Sequence, residues 1–197
     1  MTTGRIESIN SSRGGVPKTS VFEALVTEHG LDGDRQRDLR YHGGPDRAVV
    51  LYSLEVIRAL QREGHPVAAG ATGENLTVSG IDVTGARVGE RWAIGTTVLE
   101  VRQPRTPCYK LAHRMGDPGF VKRFGAAGRP GAYLGIVREG ELGAGDAIAI
   151  AERPDHAVTI GLMAEVYLHD HARAAELLAA PALPDGFRAW VDGRLAA

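Results

Sequence analysis

The 197-residue chain is poor in features that would assign it to several large classes of protein. It contains a single cysteine, which excludes an intramolecular disulfide. It has no excess of either charge, because 23 Lys and Arg face 24 Asp and Glu for a formal net charge of -1. This balance gives no reason to expect nucleic acid or an anionic membrane as a partner. No apolar run approaches the roughly 20 residues of a membrane helix, and residues 1–7 lack the apolar core of a signal peptide. We therefore expect a cytoplasmic protein, as a lone thiol also indicates.

Glycine, by contrast, is abundant. The 26 glycines follow no regular period, so they indicate tight turns between short strands. Strand-like runs recur through the first three quarters of the chain, at residues 6–9, 21–26, 48–52, 75–78, 91–94, 96–101, 133–137 and 147–150. Gly95 lies between two of them and predicts a hairpin. The pattern favours a mainly β fold with some helix, and a closed or nearly closed barrel, although strand spacing alone does not separate a barrel from a sandwich.

Two helices are predicted among the strand-like runs, and three more are predicted after them. Ser53 is a good N-cap for a helix that Gly64 and Pro66 would end. A second, shorter helix is expected either over 110–115 or near 120–124. After Arg153 the composition shifts, and Thr159, Asp170 and Asp185 could each cap a short helix. We therefore divide the chain into a barrel domain, 1–153, and a three-helix domain, 154–197. Docking onto the barrel or onto a second subunit, which would give a homodimer, is the expected role of these helices.

The surroundings of Cys108 carry the most chemistry. Arg105 and Lys110 place two positive charges near the sulfur, which favours the thiolate. Pro104 and Pro107 restrict the backbone on either side. On local grounds a reactive or metal-binding thiolate and a small buried hydrophobic residue are equally good interpretations.

Two further segments offer polar groups. His42 begins a turn with Gly43 and Gly44, where it could contact a phosphate or oxo group, or simply be a turn histidine bonded to the backbone. Asn75 offers two donors and an acceptor that could bind a phosphate, or it could cap a turn at the start of a strand. Neither segment matches a nucleotide-binding fingerprint. No paired-cysteine motif supports a closed structural zinc site. His42 or His113 could act as a base beside Cys108 in a hydrolase, but no hydrolase motif accompanies them.

Four segments of the chain form an ordered set of motifs: 30–34 with Asp38, His42 to Val49, Gly73 to Thr77, and Pro104 to Leu111. Together they resemble the MOSC domain family, named for the C-terminal part of molybdenum cofactor sulfurases. The match covers roughly residues 5–150, and four ordered motifs are far more specific than one. The helical tail is similar to that of the YiiM-like branch.

The resemblance implies a MOSC β-barrel that binds a molybdenum–pterin cofactor (molybdopterin). Cys108 would be the metal ligand and, with His42, a catalytic residue. It also implies a reductase of N-hydroxylated small molecules, and a separate reductase must deliver the electrons, since no flavin or iron–sulfur motif is present. Asp34 and Asp38 would orient His42 or pair with nearby arginines. The residues that would hold the cofactor are Arg105, Lys110, Asn75, Glu74, Gly73 and Arg47.

Two alternatives stand beside this interpretation. Cys108 could carry sulfur or cofactor to another protein without catalysing a reaction. The barrel could also have lost its cofactor, because relatives often have an arginine where this chain has Gly135. If that arginine holds the anionic cofactor, its task would pass to Arg129 or Arg138.

Overall fold

The computed structural model describes residues 4–35, 43–107 and 109–196, except for the side chain of Lys110. Within them lie eleven strands, seven of which close into a barrel. The strands are β1 (Gly4–Ser11), β2 (Thr19–Val21), β3 (Glu23–Thr27), β4 (Gly30–Leu31), β5 (Val49–Ser53), β6 (Leu76–Ser79), β7 (Arg91–Ile94), β8 (Thr97–Arg105), β9 (Gly131–Arg138), β10 (Gly140–Gly143) and β11 (Ala147–Glu152).

The barrel follows the order β11, β7, β8, β9, β5, β6, β1, and closes where β1 pairs with β11. Only the β5–β6 pair is parallel among the ladders of the described strands. Strand β2 extends the sheet beyond β1, and β10, β3 and β4 form a separate small sheet. Closure satisfies the sheet edges through hydrogen bonds. The predicted barrel is therefore confirmed.

Most strand predictions fall on observed strands because apolar residues alternate inward. Leu99 and Val101 of β8 and Leu134 of β9 fill the barrel interior. Gly95 forms the predicted hairpin, since Ile94 pairs with Thr97 across a two-residue turn. The predicted run 21–26 covers parts of two strands, β2 and β3, and the prediction missed β4 and β10, which are short and contain glycine. Gly140 begins β10.

Three α-helices cover the outside of the barrel. Helix α1 (Leu54–Arg62) begins as predicted, because the Ser53 side chain accepts a hydrogen bond from the Val56 N–H. We expected one further short helix here, but there are two, α2 (Tyr109–Met115) and α3 (Phe120–Ala126). These helices pack on the outward side chains of β5 and β9, Tyr52 and Tyr133 among them.

The C-terminal region contains α4 (Ile160–Leu168), a 3-10 helix (His171–Ala179) and α5 (Asp185–Leu195). Thr159 caps α4 through the Leu162 N–H, as predicted. Asp170 and Asp185 were wrong as side-chain caps: Asp170 makes no cap bond, and Asp185 is the first residue of α5. The 3-10 geometry suits its buried residues, Ala174 and Leu177, since a spacing of three places them on one face.

The helices after the barrel have their own apolar cluster, but it is not separate from the barrel. Val88, which lies before β7, belongs to that cluster, and Ile160 of α4 packs into the barrel core. Arg87 and Thr159 form a β-bridge between the two regions. The division into domains at residue 153 therefore stays a prediction. None of the helices in the described ranges has the length and apolar character needed to cross a membrane.

Candidate functional site

The two residues predicted to be catalytic, Cys108 and His42, lie outside the described residues, as does Asp38. Their roles stay predictions. The structure does describe what flanks Cys108: strand β8 ends at Arg105, and helix α2 begins at Tyr109. Lys110 lies in α2. The predicted thiolate therefore belongs to the connection between a long barrel strand and a helix.

Arg105 is held at the end of β8. The residue is 9% exposed, and its guanidinium donates a hydrogen bond to the carbonyl of Thr106. The buried Tyr52 hydroxyl donates to the Arg105 carbonyl at 3.3 Å. The backbone that leads to Cys108 is thus tied to strand β5, which carries Tyr52.

The segment that follows His42 is attached to β8 as well. Arg102 donates from Nε to Asp46 Oδ1 at 2.7 Å, and its Nη1 lies 2.5 Å from Glu100 Oε1. Gln103 donates from Nε2 to the Asp46 carbonyl at 3.2 Å. Although burial opposes it, the bonds and charges of Asp46 and Glu100 raise the pKa of Arg102. The guanidinium therefore stays charged and holds the 43–47 segment on the outer face of the barrel.

A cavity of about 170 Å³ lies beside this segment. Of the described residues in the predicted set, only Arg47 lines it, together with Gln103 of β8. The C-terminal region contributes Pro184 and Gly186. The C-terminal helices, to which the sequence assigned no chemistry, thus border the predicted cofactor segment.

Glu74 is fully buried, and its carboxylate organises its own loop. Oε1 accepts hydrogen bonds from the Gly70 N–H at 2.6 Å and the Thr77 hydroxyl at 3.1 Å. Oε2 accepts from the N–H of Thr72 at 3.2 Å and from its hydroxyl at 2.5 Å. Gly73 completes the turn with a φ of +89°, which only glycine adopts without strain. A direct bond from Glu74 to a cofactor stays a prediction.

Asn75 is also buried and uses its whole amide within the protein. Oδ1 accepts from the Val50 N–H at 3.1 Å, and Nδ2 donates to the Asn10 carbonyl at 3.3 Å and to Asp34 Oδ2 at 2.9 Å. These contacts agree with the alternative interpretation, a polar residue that fixes the start of a strand. A bond to pterin or phosphate stays a prediction for this residue too.

Asp34 has a partner that the sequence analysis did not single out. Lys18 Nζ lies 2.5 Å from Asp34 Oδ2, and the two side chains are 9% and 3% exposed. Burial lowers the pKa of Lys18, and the Asp34 charge opposes that shift. Asp34 Oδ1 also accepts the Ser12 N–H at 2.8 Å. No local pattern links Lys18 with Asp34, so the sequence offered no signal for this pair.

Gly135 has a steric role. A Cβ atom at this position would lie 2.5 Å from the carbonyl oxygen of Pro45 and 3.4 Å from Cδ of Arg102. The 43–47 segment therefore occupies the space into which a side chain at 135 would point. Neither proposed substitute for the relatives' arginine lies there: Arg138 bonds the Thr96 carbonyl at the hairpin end, and Arg129 lines cavities beside α3.

The fold and these segments define a closed β-barrel whose polar loops gather around strands β5 and β8. Residues 38–149 match the model of the MOSC domain. The chain belongs to the MOSC family.

Relatives of known sequence and structure agree with this assignment. The chain is 31% identical to the uncharacterized protein YflK of Bacillus subtilis, over 84% of this chain and 76% of that protein. It is 29% identical to the protein YiiM of Escherichia coli, over 77% of this chain and 70% of that protein. The crystal structure of YiiM from Geobacillus stearothermophilus superposes with a TM-score of 0.83 at 29% identity, covering 98% of this chain and 99% of that one.

Proposed function

We propose that this protein binds a molybdenum–pterin cofactor and reduces N-hydroxylated compounds. The observation that carries the proposal is the MOSC match over residues 38–149, because this range contains Cys108, the single thiol of the chain. Thiolate is a soft ligand that suits a metal site of this kind. A fungal protein named "Reductase", from Gibberella moniliformis, adds support: it is 35% identical over 68% of this chain, which covers 24% of that protein.

The described residues fit an anionic cofactor in part. Arg105 offers a guanidinium beside the segment that leads to Cys108, and Arg47 offers a second one beside the cavity at Gln103. Guanidinium groups suit the phosphate of a pterin cofactor because they form paired hydrogen bonds. Glu74 and Asn75 would contribute indirectly, by holding the backbone around Gly73 in place. Lys110 and His42 would complete the group of residues that hold the cofactor.

When bound, the cofactor would supply two-electron redox chemistry. The overall change converts an N–OH group to N–H and water, and it consumes two electrons and two protons. A separate reductase protein would deliver the electrons. The side chains of the protein would orient the cofactor and supply a proton. Arg47 and Arg105 would bind the anionic groups of the cofactor, and His42 would hold a proton for the departing oxygen of the substrate.

The test combines metal content with activity. The full chain is expressed in a cofactor-producing host, and molybdenum and pterin are measured in wild type, Cys108→Ala and Cys108→Ser. Reduction of an N-hydroxylated purine base is then followed with a chemical electron donor. We expect wild type to contain molybdenum and to turn over, and both variants to lose the metal and the activity.

Full retention of molybdenum by Cys108→Ala would end the ligand hypothesis. Mass spectrometry of the fresh protein separates the carrier alternative. A carrier would show a persulfide on Cys108, or would release its cofactor to an apo-acceptor without turnover.

A further inference from the structure

A cavity lies between helices α1 and α3, away from the predicted cofactor residues. Its volume is about 630 Å³. That size is within the range of small-molecule sites, roughly 300–1,000 Å³. Val56 and Leu60 of α1 form one wall, and Phe120 and Phe124 of α3 form the other.

The α3 wall is built from aromatic rings. The Phe120 and Phe124 rings are stacked, with centroids 5.4 Å apart and an interplanar angle of 29°. The His65 ring meets Phe120 edge to face at 5.1 Å. Phe120 and Phe124 are almost fully buried, so they form a firm apolar wall, and the partly exposed His65 ring offers an edge or face to a ligand. This arrangement favours a planar aromatic ligand, because pairs of aromatic rings are more favourable than their buried area alone accounts for.

The charges around the cavity favour one anionic group on that ligand. Arg123 pairs with Asp117, so these two charges compensate each other. Arg129 is exposed and makes no hydrogen bond or ion pair with the rest of the described chain, which leaves its guanidinium available for a carboxylate or phosphate. Glu63 also lines the cavity, and its negative charge disfavours a ligand with several anionic groups.

Arg129 lies where this cavity meets a second, much smaller one. The second cavity has a volume of about 30 Å³ and is lined by Thr106 and Pro107 as well as by Phe124 and Arg129. It has room for water but not for a ring. An aromatic ligand would therefore occupy the α1–α3 cavity, with its anionic group directed to Arg129.

We infer that the α1–α3 cavity binds a planar aromatic or heteroaromatic molecule that carries a single carboxylate or phosphate group. The apolar walls and stacked rings take the ring system, and Arg129 takes the anionic group. This site does not depend on the proposed redox function. None of its lining residues belongs to the predicted cofactor set, and Arg129, which was named only as a substitute for the relatives' arginine, does not lie beside Gly135.

The test measures binding by the full-length protein with ligand-observed NMR and calorimetry. The probes are 2-naphthoate, its uncharged counterpart 2-naphthamide, and naphthyl phosphate. Wild type should bind at least one anion, and the better anion identifies the source as a carboxylate or a phosphate. Arg129→Gln should weaken that binding about tenfold, the loss expected for one charge-assisted pair. Arg138→Gln, at the other end of β9, is the matched control and should bind as wild type does.

A second variant tests the location. Ala127 is exposed on the rim of the cavity, so Ala127→Trp should block binding of every probe without disturbing the fold. Cys108→Ala should bind the anions normally whether or not it has lost a cofactor. The inference would be overturned if neither anion bound more tightly than naphthamide, if Arg129→Gln had no effect, or if Ala127→Trp had no effect.

Discussion

The ammonium group of Lys18 lies 2.5 Å from the carboxylate of Asp34, and both side chains are nearly inaccessible to solvent. Asp34 also accepts hydrogen bonds from Asn75 Nδ2 and from the backbone N–H of Ser12. Three segments of the chain, around residues 12–18, 34 and 75, thus meet at one buried carboxylate. The pair holds the loop before the predicted cofactor segment against the start of β6.

We predict that Lys18→Met lowers the free energy of unfolding by about 3–5 kcal/mol, because it leaves the Asp34 charge buried without its partner. Lys18→Met combined with Asp34→Asn should cost less than the sum of the two single changes, since the uncompensated charge is then absent. Urea denaturation at neutral pH measures all three variants. Lys122→Met, which removes an exposed lysine on α3, should change stability by no more than about 0.5 kcal/mol. Additive single changes would contradict a coupled pair.

A second prediction concerns the contribution of Glu74 to stability, through the loop that its carboxylate organises. Glu74→Gln replaces one acceptor oxygen by an amide that faces the N–H and hydroxyl of Thr72, so we expect a loss of about 3 kcal/mol in unfolding free energy. Glu23→Gln, an exposed change on β3, serves as the control. Molybdenum content is measured on the same samples. A drop in metal content with unchanged stability would show instead that Glu74 touches the cofactor directly.

Gly135 allows a third prediction. Gly135→Ala places a Cβ 2.5 Å from the Pro45 carbonyl, so the 43–47 segment must shift, at a cost of about 1–3 kcal/mol. Gly193→Ala is the contrasting change, because no atom lies within 4 Å of its added Cβ and the residue is inside α5. It should raise stability by about 0.5–1 kcal/mol. Thermal unfolding of both variants checks the signs. A neutral Gly135→Ala would mean that the segment is not packed against β9.

The sequence was informative wherever the cause of a structure is local. Ser53 bonds an N–H three residues ahead, and the hairpin at Gly95 depends on a two-residue turn between alternating strands. Both could be predicted from a few adjacent residues. The 3-10 helix could not, because His171–Ala179 is rich in residues that favour an α-helix, and its geometry follows from which of them are buried.

The polar contacts of the candidate site were less predictable than the barrel. Lys18 and Asp34 are 16 residues apart, and Asp46 and Arg102 are 56 apart, so no periodicity connects them. The motifs indicated the segments around Asn75, Asp46 and Arg105, and the structure describes polar contacts in each of them. They did not indicate that the Asn75 amide bonds Val50, Asn10 and Asp34, or that the side chain of Arg102 in β8 passes over Gly135.

The last prediction concerns pH. The hydrogen bond from the Ser79 hydroxyl, 2.5 Å from Glu7 Oε1, lowers the pKa of Glu7, and Arg5 lowers it further. A carboxyl whose pKa is lower in the folded state stabilises the protein above its unfolded value of 4.5, and that contribution is lost as the pH falls through the folded pKa. Ser79→Ala should therefore lower the free energy of unfolding by up to about 1 kcal/mol at about pH 7, a modest value because solvent reaches Glu7, and by much less at about pH 3.

Ser20→Ala is the control. It removes a hydroxyl that faces Ser8 and no titrating group, so its effect should not vary with pH. Urea unfolding of both variants at the two pH values provides the measurement, and an equal cost of Ser79→Ala at both would show that Glu7 does not depend on this bond.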